Sequence, residues 1–209
     1  QLLSLVRLTL NDPEPLPSHV DGVRFKISLE ERQTIDALLG KLPDGKRIMV
    51  CPGSKWKNKQ LPLKTLSSFL GMIARSMKVS FFLVWGNEEE REVCKELHKR
   101  FGQNSLIVDK LELPVWQNLM SEMQMIIAFD SGALHLAGTT STPSFSIFGP
   151  TMPEIFKPLG LNHFSMQGAC PYQRSFEKLC PELRTCPTGA CMRNLEAEEI
   201  FNRFSKWLK

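Results

Sequence analysis

Largely apolar runs of strand length alternate with segments of helical periodicity along most of this chain, and that alternation restricts its fold more than any other feature. The runs are Arg47–Cys51, Lys78–Trp85, Leu106–Val108, Met125–Phe129 and Ser144–Phe148. Strands buried on both faces read as near-continuous hydrophobic stretches, and successive parallel strands need a crossover, usually a helix. The expected fold class is therefore α/β: a Rossmann-like parallel sheet with helices on both faces.

Punctuation between the runs supports this. Ser28 and Glu31 form a capping box, Ile35, Leu38, Leu39 and Leu42 follow at helical spacing, and Gly40 and Pro43 end the element. Leu63, Leu66, Phe69, Leu70, Ile73 and Met77 mark one helical face, and Val93, Cys94, Leu97 and Phe101 another, opened by Glu88-Glu89-Glu90. Further helices are predicted over Trp116–Met123, Ser131–Thr139 and Leu195–Leu208, and a last strand near Phe164. Residues 1–27 hold a strand-like run, Leu2–Leu10, and a Pro-rich stretch, Asp12–Pro17, which reads as a connector. Residues 28–209 form the domain proper.

With 209 residues and 42% hydrophobic side chains, the chain can bury a core without disulfides or metals. A net charge of only +4 implies no nucleic-acid face. The concentrated basic run, Lys55-Trp56-Lys57-Asn58-Lys59, suits a small anion, although a solvated loop explains it too. No apolar stretch reaches membrane-spanning length and no signal peptide opens the chain. It begins at Gln1 without a methionine, so a cut or processed chain is expected.

Cys51 and Cys94 fall in apolar patterns and read as core residues, while Cys170, Cys180, Cys186 and Cys191 crowd into one segment before the last helix. Their spacing lacks a paired C-x-x-C knuckle. Reduced thiols are the first expectation, disulfides the second and zinc the third.

Three loops leave the carboxyl ends of predicted strands, where open α/β sheets bind ligands. Asp130-Ser131-Gly132 opens a helix with unsatisfied backbone N–H groups, a place for phosphate. His135 lies one turn further, within reach of a phosphate oxygen or packed on the helix. After Cys51, Ser54 offers a hydroxyl and Lys59 a point charge. After the Gly86 turn, a carboxylate of Glu88, Glu89 or Glu90 can accept two hydroxyl hydrogen bonds, and Glu88 is the residue chosen, although three glutamates at a helix start are also simply good dipole partners. Leu111 and Leu113 precede Pro114 at another strand end. Gln60, Asn87 and Thr151 are polar side chains within reach that receive no role.

The string Asp130-Ser131-Gly132, His135, Ala137 and Gly149-Pro150-Thr151 resembles the C-terminal signature of glycosyltransferase family 9, the ADP-heptose:lipopolysaccharide heptosyltransferases. Gly138 stands where that family usually has Ala, and Leu134 where it often has Ser. Ser54, the Lys59-Gln60-Leu61-Pro62 ending and Cys191-Met192-Arg193-Asn194-Leu195 are similar to further segments of it. The resemblance covers about residues 45–209.

It implies the C-terminal, donor-binding half of a two-Rossmann-domain (GT-B) enzyme, inverting and metal-independent, transferring heptose from ADP-heptose to the lipopolysaccharide inner core. ADP-heptose would be a substrate, and no cofactor and no metal site are expected. By the same resemblance the donor site comprises Ser54, Lys59, Glu88, Leu111, Asp130, Ser131, Gly132 and His135. Lys59 would stabilise the departing phosphate, and Leu111 would pack against the base. The acceptor and the catalytic base would belong to an N-terminal domain that this chain does not contain, so the isolated chain is expected to bind donor weakly and transfer nothing. Such an enzyme would be cytoplasmic, working at the inner face of the bacterial inner membrane with peripheral membrane contact. Two other readings stand beside it: transfer from a different nucleotide sugar, and a non-catalytic binding module that docks a partner through its cysteine-rich loop.

Overall fold

The structure, a computed structural model, describes residues 23–208. The connector and terminal strand expected over 1–27 lie outside the described residues as far as residue 22. Residues 23–27 are pinned to the domain: Phe25 N–H donates to Gln117 Oε1 at 3.0 Å, and Asn118 Nδ2 donates to the Phe25 carbonyl at 2.9 Å.

Six strands form the sheet: β1 (Lys46–Cys51), β2 (Val79–Leu83), β3 (Ser105–Ile107), β4 (Met125–Phe129), β5 (Ser144–Phe148) and β6 (His163–Gln167). Their spatial order is β3-β2-β1-β4-β5-β6, and every neighbouring pair is parallel. The helices are α1 (Leu29–Leu39), α2 (Leu63–Ser76), α3 (Glu88–Phe101), α4 (Leu113–Ser121), α5 (Gly132–Ala137), α6 (Pro153–Phe156), α7 (Ala190–Arg193) and α8 (Ala197–Trp207). The short α6 and α7 were not anticipated, because four residues carry no readable period.

Alternation along each strand sends side chains to two separate cores. Ile48 and Val50 of β1, Phe81 and Leu83 of β2, and Ile127 and Phe129 of β4 face α2, α3 and α8. Met49 and Cys51, Phe82 and Val84, and Ile126 and Ala128 face the opposite way, under α1, α4 and α5. Helices thus cover both faces, as the apolar runs require.

Helix ends follow their sequence signals. Ser28 Oγ accepts the Glu31 N–H at 3.1 Å while Glu31 returns a bond to the Ser28 N–H at 2.6 Å. Asn87 caps α3, which has three glutamates in its first turn, His98, Lys99 and Arg100 in its last, and Gly102 at φ 50° beyond it, a left-handed conformation that glycine adopts readily. Helix α8 closes the first core through Phe204, whose ring meets Phe69 and Phe145 edge-on at 5.6 and 5.3 Å. Truncating so buried an aromatic typically costs about 3–5 kcal/mol.

Strand order reverses between β1 and β4, the next strands in sequence lying on opposite sides of this pair. Loops leaving their carboxyl ends diverge there and open a crevice.

Candidate functional site

The crevice is organised around Asp130, the residue after β4. Its carboxylate is 6% exposed, and Oδ2 receives both the Lys59 ammonium at 2.6 Å and the Thr151 hydroxyl at 2.7 Å. Ser54 Oγ donates to the Asp130 main-chain carbonyl at 2.8 Å, and Gln60 Nε2 donates to the Ser54 carbonyl at 2.6 Å. One residue therefore ties together the loops after β1, β4 and β5. Asp130 Oδ2 is already engaged by a cation and a hydroxyl, which makes the residue an organiser of the turn and leaves Oδ1 facing His135 Nε2 at 3.9 Å.

Beside this knot lies a cleft of about 660 Å³, within the usual range for small-ligand sites. Ser54, Lys59, Asp130, Ser131, Gly132 and His135 line it together with Lys55, Trp56, Thr151 and, from the cysteine-rich segment, Leu179–Pro181 and Leu183–Thr185. Two local features stand out. Ser131 Oγ is inaccessible to solvent and has no hydrogen-bond partner, whereas buried hydroxyls are nearly always paired. At Gly132 an added Cβ would meet nothing within 4 Å. This glycine is not dictated by packing, and a side chain there would project into the free space of the cleft.

Glu88 and Leu111 stand apart from this group. The Glu88 carboxylate is 71% exposed and pairs with Arg91 at 3.4 Å, and Glu89 pairs with Lys57 at 3.2 Å. Of the three glutamates it is Glu90 that turns back over the strand ends. Its Oε2 accepts the Gly86 N–H at 2.7 Å, its Oε1 accepts from Asn87 Nδ2 at 3.0 Å, and a Cβ at Gly53 would overlap its carboxyl group. Gly53 lacks a side chain because Glu90 occupies that space. Glu90 also raises the neighbouring thiols: burial first, and then this carboxylate, pushes Cys94 up to about 12. Leu111 is half-buried beyond β3 and packs against the second core.

Thr151 received no role from the sequence, although it is the last residue of the Gly149-Pro150-Thr151 turn. Its part became visible only with Asp130 beside it. Trp56, inside the basic run, reaches the cleft as well, and so does Arg184, which carried no local sequence signal.

Residues 5–185 match the family described as glycosyltransferase family 9 (heptosyltransferase). The chain belongs to glycosyltransferase family 9. It is 30% identical over 156 residues to lipopolysaccharide heptosyltransferase 1 of Campylobacter coli, covering 71% of this chain and 45% of that protein. With the protein of the same name from Pseudomonas aeruginosa it shares 25% over 169 residues, 79% of this chain and 44% of the relative. The chain spans about half the length of these curated relatives. Its fold matches a family 9 glycosyltransferase of Veillonella parvula with a TM-score of 0.74 at 16% identity, covering 98% of this chain and 59% of the other. The Escherichia coli heptosyltransferase WaaC with ADP gives a TM-score of 0.64 at 19% identity over 83% of this chain and 48% of the other. The sheet is thus that of a family 9 glycosyltransferase domain, the Rossmann-like unit of GT-B enzymes.

The cysteine-rich segment lines a second cavity of about 260 Å³, which has Cys170, Cys186 and Cys191 in its wall and shares Cys180 and Leu183 with the first. All six cysteines are free thiols. Among the described residues no three His, Cys, Asp or Glu side chains converge to hold a metal ion. Cys186 differs from its neighbours. The Thr188 hydroxyl and then the Gly189 N–H, 3.4 Å from its sulfur, hold its thiol below the ordinary range.

Proposed function

We propose that this chain is the donor-binding half of a heptosyltransferase that transfers heptose from ADP-heptose to the lipopolysaccharide inner core. The observation that carries the reading is the Asp130–Lys59–Thr151 knot with open space over Gly132, placed where the strand order reverses. Family membership and the resemblance to a heptosyltransferase solved with ADP support it.

In this reading the nucleoside lies over the ends of β2 and β3, with Glu90 accepting the ribose hydroxyls in place of Glu88, and Leu111 against the base. The diphosphate crosses to the mouth of the cleft. There Lys59 and the main-chain N–H groups of Ser131 and Gly132 meet its oxygens. The reaction breaks the bond between the anomeric carbon and the β-phosphate oxygen, leaving both electrons on that oxygen. Preorganised donors at the site of developing charge lower that barrier without solvent reorganisation. The acceptor hydroxyl attacks from the opposite face, inverting the anomeric centre, and gives its proton to a base on the N-terminal half of the full-length enzyme. Neither metal nor cofactor enters these steps. The protein would work in the cytoplasm at the inner face of the inner membrane, where its acceptor resides.

Isothermal titration with ADP, UDP and GDP tests the reading. Selective binding of ADP, weakened in Lys59→Ala, supports it. Preference for UDP or GDP moves the donor to another nucleotide sugar, and binding of none of the three overturns the proposal.

A further inference from the structure

The charges lining the cleft do not balance. Among the described residues that line it, Lys55, Lys59 and Arg184 face a single carboxylate, Asp130, and Lys59 is already committed to it at 2.6 Å. Nearby cations are neutralised, Lys57 by Glu89 at 3.2 Å and Arg174 by Glu182 at 2.8 Å. Lys55 and Arg184 form no ion pair among the described residues.

Arg184 is held in place by two devices. Its guanidinium carbon sits 4.9 Å from the centroid of the Trp56 ring, which also carries the Lys55 ammonium at 5.7 Å. Held over an aromatic face, a guanidinium can still offer its N–H groups to phosphate oxygens. The backbone on either side is fixed as well: Asn58 Nδ2 donates to the carbonyls of Leu183 and Cys186, each at 3.1 Å. Asn58 adjoins Lys59, so the loop bearing Lys59 also bolts down the loop bearing Arg184. Where the segment enters, it is tied to the end of β5 by the Cys180 N–H on the Pro150 carbonyl at 2.8 Å and the Met152 N–H on the Lys178 carbonyl at 3.0 Å.

We infer that Arg184, planted on Trp56 and framed by Asn58, is a second diphosphate-binding residue that meets the terminal phosphate of a nucleoside diphosphate in the cleft it shares with Lys59. This rests on the donor-site reading above. It adds a cation contributed by the cysteine-rich segment, which gives that segment a place in the site. When the sugar leaves, the diphosphate gains one negative charge. A fixed and otherwise unpaired guanidinium binds that product state more tightly than the donor.

Calorimetry of the chain with ADP and with AMP separates the possibilities, because AMP lacks the phosphate assigned to Arg184. The wild type is expected to bind ADP about tenfold more tightly than AMP. In Arg184→Gln that preference narrows severalfold, Lys59 keeping the rest, while AMP affinity stays within about twofold, a pattern of losing one charge-assisted contact. Asn58→Ala shifts ADP binding in the same direction by a smaller factor, since the guanidinium remains but its frame is loosened. Arg184→Lys recovers part of the loss. Arg184 is exposed, so thermal melting of Arg184→Gln should match the wild type and show an intact fold. ADP binding unchanged in both Arg184→Gln and Asn58→Ala overturns the inference and leaves the donor site standing. A wild-type chain that binds neither nucleotide overturns the donor site, and this inference with it.

Discussion

Lys59 and Asp130, 71 residues apart in sequence, meet at 2.6 Å with side chains only 14% and 6% exposed. The pair is buried enough to resist screening, and the Thr151 hydroxyl on the same carboxylate oxygen fixes its geometry. Removing one partner of such a pair leaves a desolvated charge, which is costlier than never having built it. Asp130→Ala is expected to destabilise the chain by roughly 3 kcal/mol, most of it the stranded Lys59. Asp130→Ala combined with Lys59→Met should recover a large part. Urea denaturation of the two variants checks this, and equal stability of single and double variants would contradict it.

Gly132→Val should separate binding from folding. A Cβ there touches nothing within 4 Å, so the change in stability is expected within about 0.5 kcal/mol. Nucleotide binding should nevertheless be lost, because the isopropyl group fills the cleft. Matched thermal melts and titrations read both quantities from one preparation.

Glu90 and Glu88 make opposite predictions. Glu90→Gln is expected to weaken ADP binding about tenfold, on the scale of a charge-assisted hydrogen bond, and Glu88→Gln to leave it within about twofold. The reverse result would return the ribose to Glu88.

The β/α alternation was legible in the sequence because every central strand is buried on both faces, so composition alone marks strands and crossovers. The individual strand-end residues were legible for the same reason: a motif at the end of a strand in a parallel sheet has a fixed address. The pairing between addresses was not. Nothing in Gly149-Pro150-Thr151 announces that its threonine holds Asp130. Among three consecutive glutamates the helix dipole draws no distinction, and the choice of Glu90 comes from Asn87 capping the helix and Gly53 leaving room for a carboxylate. Arg184 sits in irregular chain whose course is fixed by Asn58, a contact 125 and 128 residues away in sequence.

His163 predicts the acid limit of stability. Burial first, and then the Lys157 ammonium, holds its imidazole below the ordinary range, while Nδ1 lies 2.9 Å from the Ser144 hydroxyl. The unfolded chain therefore binds this proton more readily than the folded one. The contribution is fully present above the ordinary histidine value of about 6.5 and is lost as pH falls below it. Melting temperature should decline from about pH 7 to about pH 5, and less steeply in His163→Gln.

Cys186 should react before Cys51, Cys94 and Cys191. Hydrogen bonds from Thr188 and Gly189 favour its thiolate, while burial raises Cys51, Cys94 and Cys191, the last to about 11. Limited iodoacetamide treatment followed by peptide mass mapping should label Cys186 before those three. Thr188→Val should slow that labelling.

The knot at Asp130 spans contacts separated by 21, 71 and 76 residues. Closing such loops is entropically unfavourable until the intervening strands have docked. The site is thus assembled late, and it cannot close during synthesis until Thr151 has emerged.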